Sequence, residues 1–289
     1  MSESIRIQNG TVQLHALVDG PDGAPPILLL HGITSSVRTW EWLIPHLTPA
    51  YRTTRLDFRG HGKSDRAADH YDLEGYVSDA AAAALTAKGT AAGTPCIVIG
   101  HSLGGATAAG LAQAHPDLVR AVVLEDPPAL GEPRSLEGNA LLDVFRLMRE
   151  SVPQMQAANI APDVLAGILA AAPGPDGRVF GDMLHADAMD AMAGGLLELD
   201  ASVLDAVVEG RPLVPVFDRD RPITQPVLLI TADPAAPDCV ADAADAAHFR
   251  AVTPHAEVHT MVGSGHLVHD ELAHRQAFLD DVLAFLATL

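Results

Sequence analysis

Gly100-His101-Ser102-Leu103-Gly104 sets a serine between glycines, directly after the apolar run Cys96–Ile99 and at the head of a small-residue pattern, Ser102–His115. A serine so placed, between a buried strand and a helix, is a nucleophile elbow. The sharp turn strains the serine backbone and lifts the hydroxyl above the sheet. The flanking glycines remove side chains that would collide with neighbouring elements, and Gly105 and Ala106 let the helix approach the sheet closely. The helix N-terminus adds free N–H groups and positive dipole beside the hydroxyl. Such a serine attacks carbonyl carbon, provided that a base takes its proton and N–H donors receive the oxyanion.

The elements that must position this serine are legible as four short apolar runs, Ile27–Leu30, Cys96–Ile99, Ala121–Leu124 and Val227–Ile230, each bounded by Gly, Pro or Asp. Uninterrupted runs of this length suit strands buried on both faces, as in a parallel sheet. Helical patterns lie between or after them at Asp72–Lys88, Ser102–His115 and Glu271–Leu289. This alternation predicts an α/β fold. Ile5–Ile7 and Thr11–Val18 read as an N-terminal hairpin turning at Asn9-Gly10. After Asp126 the alternation stops. Ala140–Glu150, Pro162–Ala172 and Phe180–Leu199 are amphipathic, and Pro212, Pro215, Pro222 and Pro226 then lead the chain back to the sheet. The expectation is a core of residues 1–129 and 222–289 with a helical insertion of residues 130–221.

With His31-Gly32 after the first apolar run and the serine elbow after the second, the chain resembles the α/β-hydrolase superfamily over nearly its whole length. That resemblance implies a mostly parallel central sheet flanked by helices, with the insertion forming a cap after the sixth strand. It implies an oxyanion hole from the backbone N–H of Ile33 (or Gly32) and of Leu103, and it makes His31 a structural residue of that loop. Asp57-Phe58-Arg59-Gly60-His61-Gly62-Lys63-Ser64-Asp65 looks like the family's segment after the next strand, with a structural role. His266, in Gly263-Ser264-Gly265-His266 between a predicted strand (Glu257–Val262) and the last helix, stands where the family carries its base. His259 and His269 are its neighbours within the strand and at the helix start. Activity would then rise with pH through a histidine pKa near 6.5.

The acid is open between three residues. Most of the superfamily carries it after the strand assigned to Val227–Ile230, but there the turn reads Ala232-Asp233-Pro234-Ala235, with alanine at the expected position and Asp233 too early. The preceding strand ends in Glu125-Asp126. A smaller group resembling zearalenone lactonases and macrolide esterases takes its acid there. Side chains alternate across a strand, so Glu125 and Asp126 cannot both face one histidine. The resemblance puts Asp126 on the acid position, with Glu125 and Asp233 as alternatives.

Composition narrows the partners. At 289 residues, 48% of them hydrophobic and 19% charged, the chain has globular composition. Lys+Arg number 18 against 37 Asp+Glu, a net −19, which repels nucleic acid and anionic lipid. Cys96 and Cys239 are too few for a disulfide framework, and no signal peptide or membrane span is read, so a cytoplasmic monomer or homodimer is expected. No His-Glu-x-x-His occurs, although His255 and His259 are four apart. No cofactor or metal is required by serine chemistry. Epoxide hydrolases and haloalkane dehalogenases need an Asp where Ser102 stands.

The insertion holds Met148, Met155, Met183, Met189 and Met192 with Phe145, Phe180 and Phe217. These suit either cap packing or an adaptable apolar pocket. Met148, Met183 and Met189, with His185, Asp187 and Trp40, are the pocket candidates. The small-molecule substrate expected is a mostly apolar ester or lactone, macrocyclic ones included. A generalist short-chain carboxylesterase, a cofactor-free haloperoxidase or lyase, and a ligand-binding protein are the alternatives on this fold.

Overall fold

A computed structural model describes residues 2–67, 70–128, 130, 136–211 and 217–289. The chain order is β1 (Glu3–Asn9), β2 (Val12–Asp19), β3 (Pro26–Leu30), α1 (Ile44–Leu47), β4 (Arg52–Asp57), α2 (Leu73–Thr90), β5 (Cys96–His101), α3 (Leu103–Ala114) and β6 (Val119–Glu125). Then follow α4 (Ala140–Ala157), α5 (Pro162–Ala171), α6 (Phe180–Met183), α7 (Ala186–Leu197), α8 (Asp205–Val208), β7 (Val227–Thr231), α9 (Ala243–Val252), β8 (Glu257–Thr260) and α10 (Arg275–Leu286). The eight strands form one sheet in the order β1-β2-β4-β3-β5-β6-β7-β8. Only the β1–β2 and β2–β4 pairings are antiparallel.

The apolar runs are strands because both of their faces are covered. Leu28 and Leu30, Val98, Val122 and Leu124, and Leu229 pack on one face, against α2, α3 and Phe249 of α9. Ile27 and Leu29, Ile97 and Ile99, Ala121 and Val123, and Leu228 and Ile230 pack on the other, against Trp40, Leu43, Phe278 and Phe285. This is the period-two alternation of a doubly covered sheet. A third apolar cluster belongs mainly to α4–α8, with Leu142, Leu165, Met189 and Leu204 at its centre.

Several expectations need correction. The hairpin pairs Asn9 with Val12, so the turn is Gly10-Thr11, with Gly10 at φ +57°. The polar-looking β4 is buried throughout most of its length; its Arg55 is neutralised by Asp19 at 2.9 Å. Phe180–Leu199 is two helices, because Leu184 leaves the helix to bridge Glu271. The last helix starts at Arg275, after a 3-10 turn at Val268–Asp270. The expected boundary at residue 129, and Pro212 and Pro215, lie outside the described residues. Among the described residues no helix is long and apolar enough to cross a membrane.

Candidate active site

Ser102 stands between β5 and α3 with φ +53° and ψ −118°. A non-glycine residue there is strained by about 1–3 kcal/mol, and the surrounding backbone enforces it. A Cβ on Gly100 would lie 2.2 Å from Gly104 O, and one on Gly104 would lie 2.3 Å from Leu30 O. No side chain fits at either position. Ser102 N–H donates to Glu125 O at 2.8 Å, which ties the elbow to β6.

Asp126 follows β6 with φ +36°, a second left-handed residue at the sheet's carboxyl edge. Its carboxylate is fully buried and Oδ2 lies 2.6 Å from His266 Nδ1. Val240 N–H donates to Oδ2 at 3.0 Å, while Ala241 N–H and Ala232 N–H donate to Oδ1 at 3.1 and 3.4 Å. The loop after β7 therefore supplies donors to Asp126 rather than an acid of its own. The alternatives go elsewhere. Asp233 is half-buried outside the cavity and accepts from the N–H groups of Ala235 and Gly263. Glu125 turns to the opposite face of the sheet and binds His269 Nδ1 at 2.7 Å and His269 N–H at 2.9 Å.

His266 is buried, which alone would pull its pKa down, but the Asp126 hydrogen bond and the charges of Asp126, Asp238 and Glu125 outweigh burial and hold it above the usual 6.5. The expectation of a value near 6.5 is corrected upward. His266 N–H donates to Asp238 Oδ2 at 3.2 Å, and its carbonyl accepts from His101 Nε2 at 3.1 Å. Among the described residues no hydrogen bond joins Ser102 Oγ to His266. Such contacts are commonly long without substrate and tighten in the reacting complex.

The Gly32–Ile33 peptide is oriented by its carbonyl. Gly32 O accepts from Ser35 N–H at 3.1 Å and from His31 Nδ1 at 2.8 Å. In a trans peptide the N–H points the other way, so the Ile33 N–H turns from those donors. His31 is uncharged, its pKa pushed to about 3 by burial, and its Nε2 accepts from Phe58 N–H. Both ring nitrogens are thus engaged with the backbone of Gly32 and Phe58. Leu103 opens α3, where first-turn N–H groups have no intrahelical acceptor.

One cavity takes in Gly32, Ile33, Ser102 and His266 together with Leu141, Phe145, Met148, Phe180, Met183 and Met192. A smaller apolar lobe continues from Ser102 along Leu103, Pro128, Leu136, Val207 and Val240. Met148 and Met183 are thus at the cavity. Four other candidates are not. Trp40 is fully buried and stacks on His269 at 4.5 Å. Met189 belongs to the core among the inserted helices. His185 caps α7 and gives its backbone N–H to Asp270 O, while Asp187 is held by Arg275. Met155 packs among the inserted helices, and Phe217 on the face of the sheet that α2 and α3 cover. The acidic lining residues Asp238, Asp270 and Glu271 were missed in sequence, where nothing separates them from surface carboxylates. Among the described residues no three His, Cys, Asp or Glu side chains cluster to hold a metal ion.

A mostly parallel sheet with its polar centre at the carboxyl ends of β5 and β6, under helices inserted before β7, defines a protein of the α/β-hydrolase class. The family profile of the alpha/beta hydrolase fold matches residues 25–272, and the chain belongs to that family. It is 29% identical over 272 residues to the 2-(acetamidomethylene)succinate hydrolase of Mesorhizobium japonicum, covering 92% of this chain and 90% of that one. It is 36% identical over 156 residues to Lipase LipV of Mycobacterium tuberculosis, covering 54% of this chain and 56% of the lipase, so this match spans little more than half of either protein. The crystal structure of esterase RhEst1 from Rhodococcus sp. ECU1013 superimposes with a TM-score of 0.68 at 25% identity, over 100% of this chain and 99% of that one. The protein is a hydrolase of this fold.

Proposed function

We propose that the protein hydrolyses carboxylic esters or lactones with Ser102 as nucleophile, His266 as base and Asp126 as the acid that orients it. The observation that carries this reading is the 2.6 Å contact between buried Asp126 and His266 Nδ1, at the cavity that also holds Ser102. With Nδ1–H given to Asp126, Nε2 is the nitrogen left free to take the serine proton. Ser102 Oγ attacks the carbonyl carbon as His266 takes that proton. The oxyanion rests on the N–H groups of Ile33 and Leu103, each donor contributing roughly 3–4 kcal/mol in enzymes of this chemistry. The imidazolium then protonates the leaving alcohol. Water, deprotonated by the same histidine, releases the acid.

Residues 130–221 serve as a cap whose helices wall the cavity. Its Leu141, Phe145, Met148, Phe180, Met183 and Met192 favour a mostly apolar substrate. The Mesorhizobium relative is named for a substituted succinate. Among the described residues no Lys or Arg lines the cavity here to receive carboxylates, so that substrate does not transfer. The partner is a small molecule.

The test is mass-spectrometric turnover of p-nitrophenyl acyl esters beside macrocyclic lactones, with Ser102→Ala as blank. Loss of turnover in the blank is expected for whichever substrate is cleaved. Undiminished turnover by Ser102→Ala overturns the reading. Addition of one water to a lactone identifies a lactonase; cleavage of short esters alone identifies a carboxylesterase.

A further inference from the structure

One stretch of the loop after β7 holds both Asp126 and His266. Val240 N–H and Ala241 N–H donate to the Asp126 carboxylate at 3.0 and 3.1 Å. Two residues before Val240, Asp238 turns its own carboxylate to the histidine, and Oδ2 accepts from His266 N–H at 3.2 Å. Residues 238–241 thus bridge the loops after β6 and β8, and the 2.6 Å contact between Asp126 and His266 Nδ1 closes between the two ends of that bridge. The fit beside it is close. A Cβ on Gly265 would lie 2.9 and 3.0 Å from the two Asp238 oxygens, so a side chain there displaces the carboxylate.

The bridge is itself fastened. Ala140 N–H donates to Pro237 O at 3.0 Å, and Asn139 Nδ2 donates to Cys239 O at 2.8 Å. These bonds tie it to the start of α4, the helix whose Leu141 and Phe145 wall the cavity. On the other side His101 Nε2 donates to His266 O at 3.1 Å. The His266 main chain is therefore gripped by side chains at both of its polar groups, the N–H by Asp238 and the carbonyl by His101. Two further carboxylates hold its neighbours instead. Asp233 takes Gly263 N–H at 2.7 Å, and Glu271 takes Gly265 N–H at 2.6 Å and bonds His274 at 2.5 Å. Among the described residues Asp238 is the carboxylate that reaches the His266 main chain; it is buried and lines the cavity that holds Ser102.

We propose that Asp238 is a positioning residue of the reaction: by holding the His266 main chain on the loop that also holds Asp126, it fixes the base against its acid and so the direction in which Nε2 is presented to Ser102. This rests on the serine-hydrolase reading above and adds a residue that acts through His266, without contact to the substrate. The physical basis is geometric. A base displaced by about 1 Å costs about 10²-fold in rate, and a hydrogen bond to an ionised acceptor is stronger than one to a neutral acceptor. The carboxylate has an electrostatic consequence as well. Burial pulls the His266 pKa down, but Asp126 and Glu125 from β6 and Asp238 from the loop after β7 outweigh it. His101 of β5 is kept uncharged by burial. Glu271, which faces the neighbouring Gly265, has its carboxyl pushed up by burial. Loss of the Asp238 charge lowers the His266 pKa, whereas loss of its hydrogen bond frees the histidine to swing, and the two effects are separable.

The experiment sets Asp238→Asn, which removes the charge and keeps an acceptor, beside Asp238→Ala, which removes both. Turnover of p-nitrophenyl butyrate is measured from pH 5 to 9. Labelling by a fluorophosphonate, which bonds to Ser102 Oγ with loss of fluoride, gives a second measure of nucleophile activation. Asp238→Ala should lower kcat by about 10²-fold with KM within about twofold, and the labelling rate should fall in parallel. Asp238→Asn should recover most of that rate at alkaline pH, with the acid limb moved down by about half a pH unit or more. A role in folding alone moves neither the limb nor the balance between kcat and KM. An Asp238→Ala variant with wild-type kcat, a rise in KM at unchanged kcat, or an Asp238→Asn as slow as Asp238→Ala at every pH overturns the proposal. Should Asp238→Ala fold poorly, Gly265→Ala decides, because its new Cβ crowds the same carboxylate off the His266 N–H. A fall in kcat with KM held supports the proposal, and an unchanged kcat overturns it. Ester turnover that persists in Ser102→Ala would instead sink the underlying hydrolase reading, whatever Asp238→Ala does.

Discussion

Glu125 and Asp126 are neighbours in the chain, yet they serve different histidines on different sides of the sheet. Glu125 continues the alternation of β6 and meets His269 beneath Trp40 and Phe278, in the core under the sheet. Asp126 breaks the strand with φ +36° and turns toward His266. The Glu125–His269 pair is fully buried on both partners. The Asp126–His266 pair opens on the cavity through His266. Two carboxylate–imidazole pairs of similar length are thus separated by one peptide unit, and only one of them can reach substrate.

Asp126→Asn should lower kcat by about 10⁴-fold while KM changes little, as the wrong imidazole tautomer is then favoured. Asp233→Asn should stay within a few-fold of wild type, since Asp233 only ties the Gly263 turn. Steady-state kinetics on one ester decides between them. A crippled Asp233→Asn beside an active Asp126→Asn would reassign the acid.

Glu125→Ala should act on stability more than on catalysis. It strands His269 in the core, and breaking a fully buried pair of this kind costs about 3–5 kcal/mol. Burial opposes the charge on His269, but Asp270 and Glu125 outweigh it and raise its pKa. A pKa raised by folding contributes stability that is complete below the unfolded value of 6.5 and is lost as pH rises through the folded value. The difference in urea midpoint between wild type and Glu125→Ala should therefore be largest on the acid side of 6.5 and shrink at alkaline pH. A pH-independent difference would mean that the pair acts through shape alone.

The pH profile of catalysis follows from His266 in the same way. The base must be neutral, so kcat/KM falls as pH drops through its pKa, which in the free enzyme stands above 6.5 because Asp126 and the nearby acids outweigh burial. The acid limb should have its midpoint above 6.5. In Asp126→Asn the residual activity, or the imidazole proton resonances, should titrate at lower pH. An acid limb centred below 6 in wild type would contradict the placement of His266.

Much of this arrangement is legible in sequence, for physical reasons. The elbow is legible because a strained serine needs flanking glycines, and Gly100 and Gly104 lie against backbone atoms that no substitution can move. The strands are legible where both faces are apolar. β4 is not, because Thr53, Thr54 and Arg55 are buried by partners distant in sequence; Arg55 depends on Asp19. Trp40 reads as a rim residue by its closeness to the oxyanion loop, but the 3-10 helix at Val37–Leu43 turns it into the core. Asp270 is illegible for a similar reason: its burial is produced by the contact of residues 184–185 with residues 270–271, across more than eighty positions of chain.

Gly32→Ala probes the proposed oxyanion peptide directly. A Cβ there would lie 2.9 Å from His101 Nδ1 and 3.5 Å from Ser102 Cβ, so either the loop or the His101 ring must shift. A displacement near 1 Å in a reacting centre costs about 10²-fold. The expected outcome is a fall in kcat of that order with KM nearly unchanged, because the donor acts on charge present only in the transition state. An unchanged kcat would place the oxyanion elsewhere.

The last prediction concerns the shape of the pocket. Leu141 and Phe145 line both the main cavity and the apolar lobe beside Leu103, Pro128 and Val240, so their side chains form the partition between the two. Ser102 and Ile33 also belong to both spaces, which puts the reacting carbonyl at the junction. One arm of the substrate then enters each space, and the partition limits how wide either arm can be. Phe145→Leu thins the partition at a cost of roughly 1–2 kcal/mol of stability for the carbons removed. Branched or long acyl esters should gain on short ones, with the ratio of kcat/KM values moving by about 10-fold, the scale expected of one or two methylenes in an apolar pocket. The ratio between octanoate and acetate p-nitrophenyl esters, in wild type and variant, measures it. A ratio unchanged by Phe145→Leu, in a variant that retains its fold, would show that both arms lie in the main cavity and that the lobe takes no part in binding.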